Sequence, residues 1–300
     1  MTAMRIAVTG SSGLIGSPLV RSLRADGHEL VRFVRRTPKA ADEAQWDPVA
    51  GTLDTDALLG VDAVVSLAGA GVGDHRWTKA YKRELRDSRV LGTAMLARAI
   101  AAMERPPSVF LSGSAVGYYG DTGDRLVDET APAGSGFLAE LCVEWEAATA
   151  PAEAAGVRVA HMRTGLVVAN KGGAWGPLFR AFQFGVGGRM GNGRQYWSFI
   201  SLRDEINAIR FLLQTDAVHG PVNLTAPNPV TNAEATKAMS RLLRRPGLFT
   251  VPRPALRAVL GEFADSVLSS QRVAPRVLEN SGFVFAHPTI DLAVAVARHG

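Results

Sequence analysis

The nine residues Val8-Thr9-Gly10-Ser11-Ser12-Gly13-Leu14-Ile15-Gly16 constrain this chain more than any other stretch. They follow a short apolar run, Arg5–Thr9, and lead into a segment from Leu14 to Ala25 with helical periodicity, closed by Asp26-Gly27. Glycines at that spacing are what a phosphate-binding strand-to-helix turn needs. Gly10 lets the chain leave the strand sharply, Gly13 lets backbone come close to a pyrophosphate, and Gly16 lets the helix pack tightly on the sheet. The phosphates would rest on the free N–H groups and positive dipole end of the helix beginning near Leu14.

Beyond the turn, strand-like and helix-like segments alternate. Strands are predicted at Glu29–Val34, Asp62–Leu67, Ser108–Leu111 and Val157–Met162, and helices at Lys79–Met103 and Phe137–Ala155. Alternation of this kind implies parallel pairing through right-handed crossovers, hence an α/β doubly wound parallel sheet of the Rossmann type. After Arg163 the texture becomes glycine-rich, from Lys171-Gly172-Gly173 through Gly185-Val186-Gly187-Gly188 to Gly191-Asn192-Gly193. Ser201-Leu202-Arg203-Asp204 and Thr231-Asn232-Ala233-Glu234 read as capped helix starts, and Pro221–Leu224 as a strand rejoining the sheet. The expected organisation is a nucleotide-binding domain over 1–170, joined by a strand near 221–225, and a smaller α/β C-terminal lobe over 171–300 on the substrate side.

The end of the second strand selects among dinucleotides. A site for NAD offers an acid about 20 residues past the glycines, where it bonds a ribose hydroxyl. This chain offers Val34-Arg35-Arg36-Thr37-Pro38 instead. A carboxylate would repel a 2′-phosphate, whereas a guanidinium fork binds one bidentately. The expected cofactor is therefore NADP(H), with Arg35 and Arg36 on the 2′-phosphate; the plainer reading makes them solvated surface arginines.

Composition excludes several other classes. The 300 residues are 47% hydrophobic and 20% charged, which suits a chain with a sizeable core. One cysteine excludes a disulfide framework, and the six histidines lack metal-ligand spacing. The net charge of +5 raises the question of nucleic acid, but the arginines are scattered along the chain rather than massed on one face, so no nucleic-acid partner is expected. No apolar run is long enough for a membrane span, and the first strand follows the N-terminus too closely for a signal peptide. The expectation is a cytoplasmic protein with no membrane partner.

Further segments carry a resemblance: Leu67-Ala68-Gly69, Ser88-Arg89-Val90-Leu91-Gly92-Thr93 and Ser112-Gly113-Ser114-Ala115-Val116-Gly117-Tyr118-Tyr119-Gly120. With the glycine turn, they resemble the extended short-chain dehydrogenase/reductases. Trp46-Asp47-Pro48, Phe137-Leu138-Ala139-Glu140-Leu141-Cys142, Arg163-Thr164-Gly165 and Ala226-Pro227-Asn228-Pro229 narrow the resemblance. They are similar to an atypical branch labelled epimerase family protein, or nucleoside-diphosphate-sugar epimerase-like, with its own C-terminal domain. The resemblance implies that Gly10, Gly13, Leu14, Ile15 and Gly16 hold the pyrophosphate, with Thr9 also in the cofactor site. It places Leu67, Ala68 and Gly69 along the adenosine side. Arg89 would reach the cofactor from below, and Leu166 would meet the nicotinamide amide through its backbone. Extended members often dimerise through two long helices, here near 79–103 and 137–155, so a homodimer is possible.

The chemistry departs from that pattern. Short-chain dehydrogenases move a proton with a Tyr-x-x-x-Lys pair on a helix, aided by an upstream Ser or Thr. Ser114 is present, but the pair is replaced by Phe137 and Leu141, and no Tyr-x-x-x-Lys occurs elsewhere. A phenyl ring cannot carry a proton. Candidate replacements are Tyr118 or Tyr119, close behind Ser114, and Glu140, one turn from Phe137, where a half-buried cleft would raise its pKa. The plainer readings are pocket-wall rings and a solvated helix residue. Gly185-Val186-Gly187-Gly188-Arg189 and Gly191-Asn192-Gly193-Arg194-Gln195 suit a small anionic substrate of the nucleotide-sugar kind. Two functions follow: an NADP-dependent oxidoreductase or epimerase with Ser114, Tyr118 and Glu140 as catalytic residues, or a cofactor-binding sensor or scaffold without turnover.

Overall fold

A computed structural model describes residues 3–298; His299, one of the six histidines, lies outside the described residues. In chain order the elements are β1 (Arg5–Thr9), α1 (Gly16–Ala25), β2 (Glu29–Val34), β3 (Glu43–Asp47), β4 (Thr52–Leu53), β5 (Ala63–Ser66) and α2 (Lys79–Ala101). β6 (Val109–Ala115), α3 (Phe137–Ala147), α4 (Ala150–Ala154), β7 (Arg158–Thr164) and β8 (Leu166–Val168) follow. Then come α5 (Trp175–Gln183), β9 (Gly188–Met190), β10 (Tyr196–Trp197), β11 (Phe199–Ser201), α6 (Leu202–Gln214), β12 (Gly220–Leu224) and β13 (Val230–Thr231). The chain closes with α7 (Asn232–Leu243), β14 (Phe249–Val251), α8 (Arg253–Leu260), α9 (Phe263–Leu268), α10 (Arg276–Asn280) and α11 (Ile290–Arg298).

Eight strands form one sheet in the order β12-β7-β6-β5-β1-β2-β3-β4, parallel except for the β3–β4 pair. The chain winds outward from β1 to β3 on one side and from β5 to β7 and β12 on the other. The order therefore reverses between β1 and β5, where a doubly wound sheet opens its binding crevice. Alternation along the strands feeds two cores. Ile6 and Val8 of β1 point into one, against Leu19, Leu23 and the α6 residues Ile209 and Leu212. Ala7 points into the other, with Leu96 and Ile100 of α2.

The structure refines several expected boundaries. α1 begins at Gly16 rather than near Leu14, because the preceding residues stay in a turn closed by Gly13 N–H to Gly10 O at 3.0 Å. The helix expected over 137–155 is two helices: Pro151, in the first turn of α4, cannot continue the earlier one. β3 and β4 had no sequence signature, since Glu43-Ala44-Gln45-Trp46-Asp47 buries only Ala44 and Trp46 and lies at the polar margin of the sheet. Ser201 caps α6 through Asp204 N–H at 3.0 Å, but the Asp204 carboxylate does not close a capping box. It accepts from the N–H groups of Ala286 and His287 instead, which leaves the full box to Thr231 and Glu234 at α7.

Candidate active site

At the reversal point the glycine turn meets the end of β5. Gly10 has φ +67°, and a Cβ there would lie 2.7 Å from the Leu67 carbonyl carbon. A Cβ on Gly16 would run into the Gly10 carbonyl, whereas one on Gly13 would meet only that oxygen, at 3.3 Å. Two of the glycines are thus demanded by the fold and the middle one is not. Thr9 Oγ1 accepts from the Leu67 and Ala68 N–H groups, each at 3.2 Å, and so ties the two turns together. No side chain caps the N-terminus of α1 after Ile15. The Leu14 side chain lies within reach of Gly172 and Gly173, so the glycine-rich loop after β8 sits against this turn.

The two arginines at the end of β2 differ. Arg36 is held bidentately by Glu43 of β3 at 2.7 and 2.8 Å, and this bond pulls the Glu43 carboxyl down to about 2. Arg35 is exposed and has no hydrogen bond or ion pair among the described residues. Below the β5 turn, the half-buried Arg89 guanidinium donates to Leu85 O at 3.0 Å and Ala70 O at 2.9 Å. A Cβ on Gly69 would stand 3.1 Å from its Cζ. No carboxylate faces Arg89 among the described residues, and burial lowers its pKa.

The carboxyl ends of β6 and β7 carry a connected polar network. Their register sets Ser114 opposite Arg163. Ser114 Oγ donates to Glu146 Oε1 at 2.6 Å, and Arg163 clamps the same carboxylate with two bonds of 2.8 Å. Arg163 also donates to the Tyr119 hydroxyl at 2.9 Å, which donates to Asn223 Oδ1 of β12 at 2.7 Å. Burial pushes the Tyr119 phenol up to about 12. Burial alone would weaken the Arg163 charge, but Glu146 outweighs it and raises the pKa. The Tyr118 ring stacks on the Arg163 guanidinium, 3.4 Å from centroid to Cζ. Tyr118 carries no hydrogen bond to its hydroxyl among the described residues.

Several expectations need correction. Glu140 is exposed on α3, so the half-buried cleft invoked for it does not surround it. The half-buried acid of that helix is Glu146, which sequence periodicity did not single out. Leu166 donates its N–H to Ser198 O at 2.8 Å and accepts from Trp175 Nε1, so β-pairing already uses the backbone expected to meet a ligand. Gln195 turns inward to Met190 O at 3.1 Å, and Arg189 bonds Thr250 Oγ1 at 2.9 Å. Phe137 packs edge-on to Trp77 at 5.1 Å, Trp77 faces Phe263 at 5.3 Å, and Leu141 is buried in the same cluster. The position of the missing tyrosine is thus an apolar plug. Cys142 is buried as well, its thiol pushed up to about 11 by burial. One signal of the network was legible: an arginine inside a central parallel strand needs a buried acid, and Arg163 is 3% exposed. No cluster of three metal-ligating side chains occurs among the described residues.

Comparison with known proteins agrees with this architecture. The model of the NAD dependent epimerase/dehydratase family matches residues 6–224, and a domain of unknown function (DUF1731) matches 251–296. An epimerase family protein of Mycobacterium leprae is 50% identical over 293 residues, 97% of this chain and 95% of that one. The human epimerase family protein SDR39U1 is 32% identical, over 97% of this chain and 98% of its own length. A crystal structure of that human protein with NADPH superimposes with a TM-score of 0.90 at 30% identity, covering 98% of this chain and 99% of the other.

Proposed function

The chain belongs to the NAD dependent epimerase/dehydratase family, and from that footing we propose that it binds NADP(H) and acts as an atypical oxidoreductase or epimerase on a small anionic substrate. The residues fit the cofactor. The turn at Gly13 has room for a close ligand, the α1 N-terminus lacks a side-chain cap, and Arg35 is a free guanidinium where a 2′-phosphate would lie. Arg36 contributes less directly, because Glu43 already holds it. Lys171, exposed beside the loop that meets Leu14, adds a second cation on the phosphate side. Bound NADP(H) supplies hydride chemistry.

Ser114 carries the argument about the substrate. A hydroxyl has one proton and two lone pairs, and the Ser114 proton is committed to the Glu146 carboxylate. The serine can then only accept from whatever it meets on its other side. A carbonyl oxygen gains nothing there, whereas an alcohol or an N–H donor does. This favours a substrate presented as an alcohol, with Tyr118 as proton carrier and Arg163 stacked on its ring to hold it in place. Glu146 and Arg163 act as positioning residues rather than as proton donors.

The second reading, a cofactor-holding sensor or scaffold without turnover, draws on the apolar plug of Phe137, Trp77 and Phe263. Fluorescence titration with NADPH and NADH tests the cofactor. NADPH should bind at least about tenfold more tightly, about 1.4 kcal/mol, and Arg35→Ala should erase the difference by weakening NADPH alone. Equal affinity in the unmodified protein would discard the 2′-phosphate assignment. Turnover against nucleotide-sugar alcohols is then read as a combined signal, nicotinamide absorbance for net oxidation or, because an epimerase returns its hydride within each cycle, formation of the epimeric product. Loss of that signal in Tyr118→Phe with intact NADPH affinity supports the enzyme, and no signal with any of them favours the sensor.

A further inference from the structure

Two segments of this chain contain no acid at all. Residues 171–195 and 240–261 hold nine of its 33 Lys and Arg and none of its 28 Asp and Glu, leaving 24 cations against 28 acids elsewhere. In sequence the whole positive excess of the protein therefore resides in them. In the fold Arg241 pairs with Asp291, and Arg253 and Arg257 with Asp265, and the other six have no carboxylate partner among the described residues. Along the sequence the two segments are far apart, and the cations look scattered. The fold joins them: β9 pairs with β14 in parallel, Gly188 opposite Phe249. The Phe182 ring lies against both Gly187 and Gly247, which draws the loop after α5 onto the loop after α7.

Large apolar side chains stand on this joined surface rather than beneath it. Phe184 is 82% exposed, Leu248 86%, Val186 58% and Phe249 54%. Arg244 and Arg245 flank them, exposed and without a carboxylate partner among the described residues. Arg244 holds the left-handed residue that ends α7 and Arg245 is bonded back to Ser240, so the loop bearing them is anchored. Protruding apolar side chains beside unpaired guanidiniums match the layering of an anionic bilayer, with acyl chains beneath phosphate headgroups. A second copy of the same face would be repelled by its own charge. A nucleic-acid backbone would satisfy the arginines but has nothing to receive Leu248 and Val186.

We propose that this face docks the protein peripherally on an anionic membrane surface, with Phe184, Val186, Leu248 and Phe249 entering the interface and Arg244 and Arg245 meeting the headgroups. Such docking needs no spanning helix, and among the described residues no helix is long and apolar enough to cross a membrane. The test is co-sedimentation of the full chain with vesicles of phosphatidylcholine, alone or with phosphatidylglycerol. The protein should pellet only with the anionic vesicles, and less so as salt rises. Arg244→Gln with Arg245→Gln should lower partitioning about thirtyfold, and Phe184→Ser with Leu248→Ser at least about tenfold. All four side chains are exposed, so thermal melts and NADPH titration should be unchanged. Failure to pellet with anionic vesicles, or pelleting that both double variants leave intact, overturns the proposal. Retention of a single-stranded oligonucleotide that depends on Arg244 and Arg245, without vesicle binding, overturns it in favour of nucleic acid.

Discussion

On α6 the Glu205 carboxyl is wholly buried and receives one hydrogen bond, from Thr164 Oγ1 at 2.9 Å, while its Oε2 has no partner among the described residues. Burial pushes its pKa from 4.5 up to about 8. The folded chain holds this proton more tightly than the unfolded one. Its contribution to stability is therefore complete below about 4.5 and is lost as the pH climbs toward about 8. Glu205→Gln keeps the neutral shape without the titration. Melting curves of the two proteins should coincide near pH 4.5, and by pH 8 the variant should lead by a few kcal/mol, on the order expected for such a shift. Parallel curves across the range would show that Glu205 does not ionise in the unfolded chain alone. The same residue scale explains one sequence error. α3 carries Glu140, Glu144 and Glu146, and only the direction each takes from the helix decides which one meets Arg163.

Among the elements, the strand–turn–helix unit separates glycines of the fold from a glycine of the site. Gly16→Ala would drive a methyl into the Gly10 carbonyl and should cost about 3 kcal/mol, the upper end of what overpacking typically costs, because the atom met is backbone. Gly13→Ala meets a single oxygen at 3.3 Å and should change stability by less than about 1 kcal/mol. Its effect should fall on NADPH affinity, at least tenfold, because the added methyl occupies the approach to the pyrophosphate. Denaturant unfolding and nicotinamide fluorescence on the two variants check this. If Gly13→Ala binds NADPH normally, the turn is a structural corner only. All three glycines and a separate role for each were read from spacing, whereas the clearances that set them apart were not. Clearance around Gly16 depends on the path of Gly10, and clearance around Gly10 on the end of β5, some 57 residues away.

For the whole molecule, the C-terminal segment reaches back over the front of the sheet. Arg76 of the loop after β5 donates to Ala258 and Val259 carbonyls, Lys82 pairs with Glu262, and Phe263 stacks against Trp77. These contacts close the apolar plug around Phe137. Phe263→Ala should cost about 2 kcal/mol and raise amide exchange selectively in residues 71–77. Uniform exchange throughout the chain would mean that the segment does not brace this loop.

The sequence by itself determined the strand–helix alternation, the glycine turn and the absence of an acid after β2, because each of these is written in residues close together in the chain. Periodicity and turn chemistry act locally, so they survive without knowledge of the fold. Only the tertiary structure decided that Ser114 gives its proton to Glu146, that Arg36 is taken by Glu43 while Arg35 stays free, and that two acid-free segments meet where β9 pairs with β14. Those outcomes depend on which side of a helix turns to the sheet and on which distant strands are laid side by side. Nothing local encodes them, since the partners meet only through the packing of the rest of the chain.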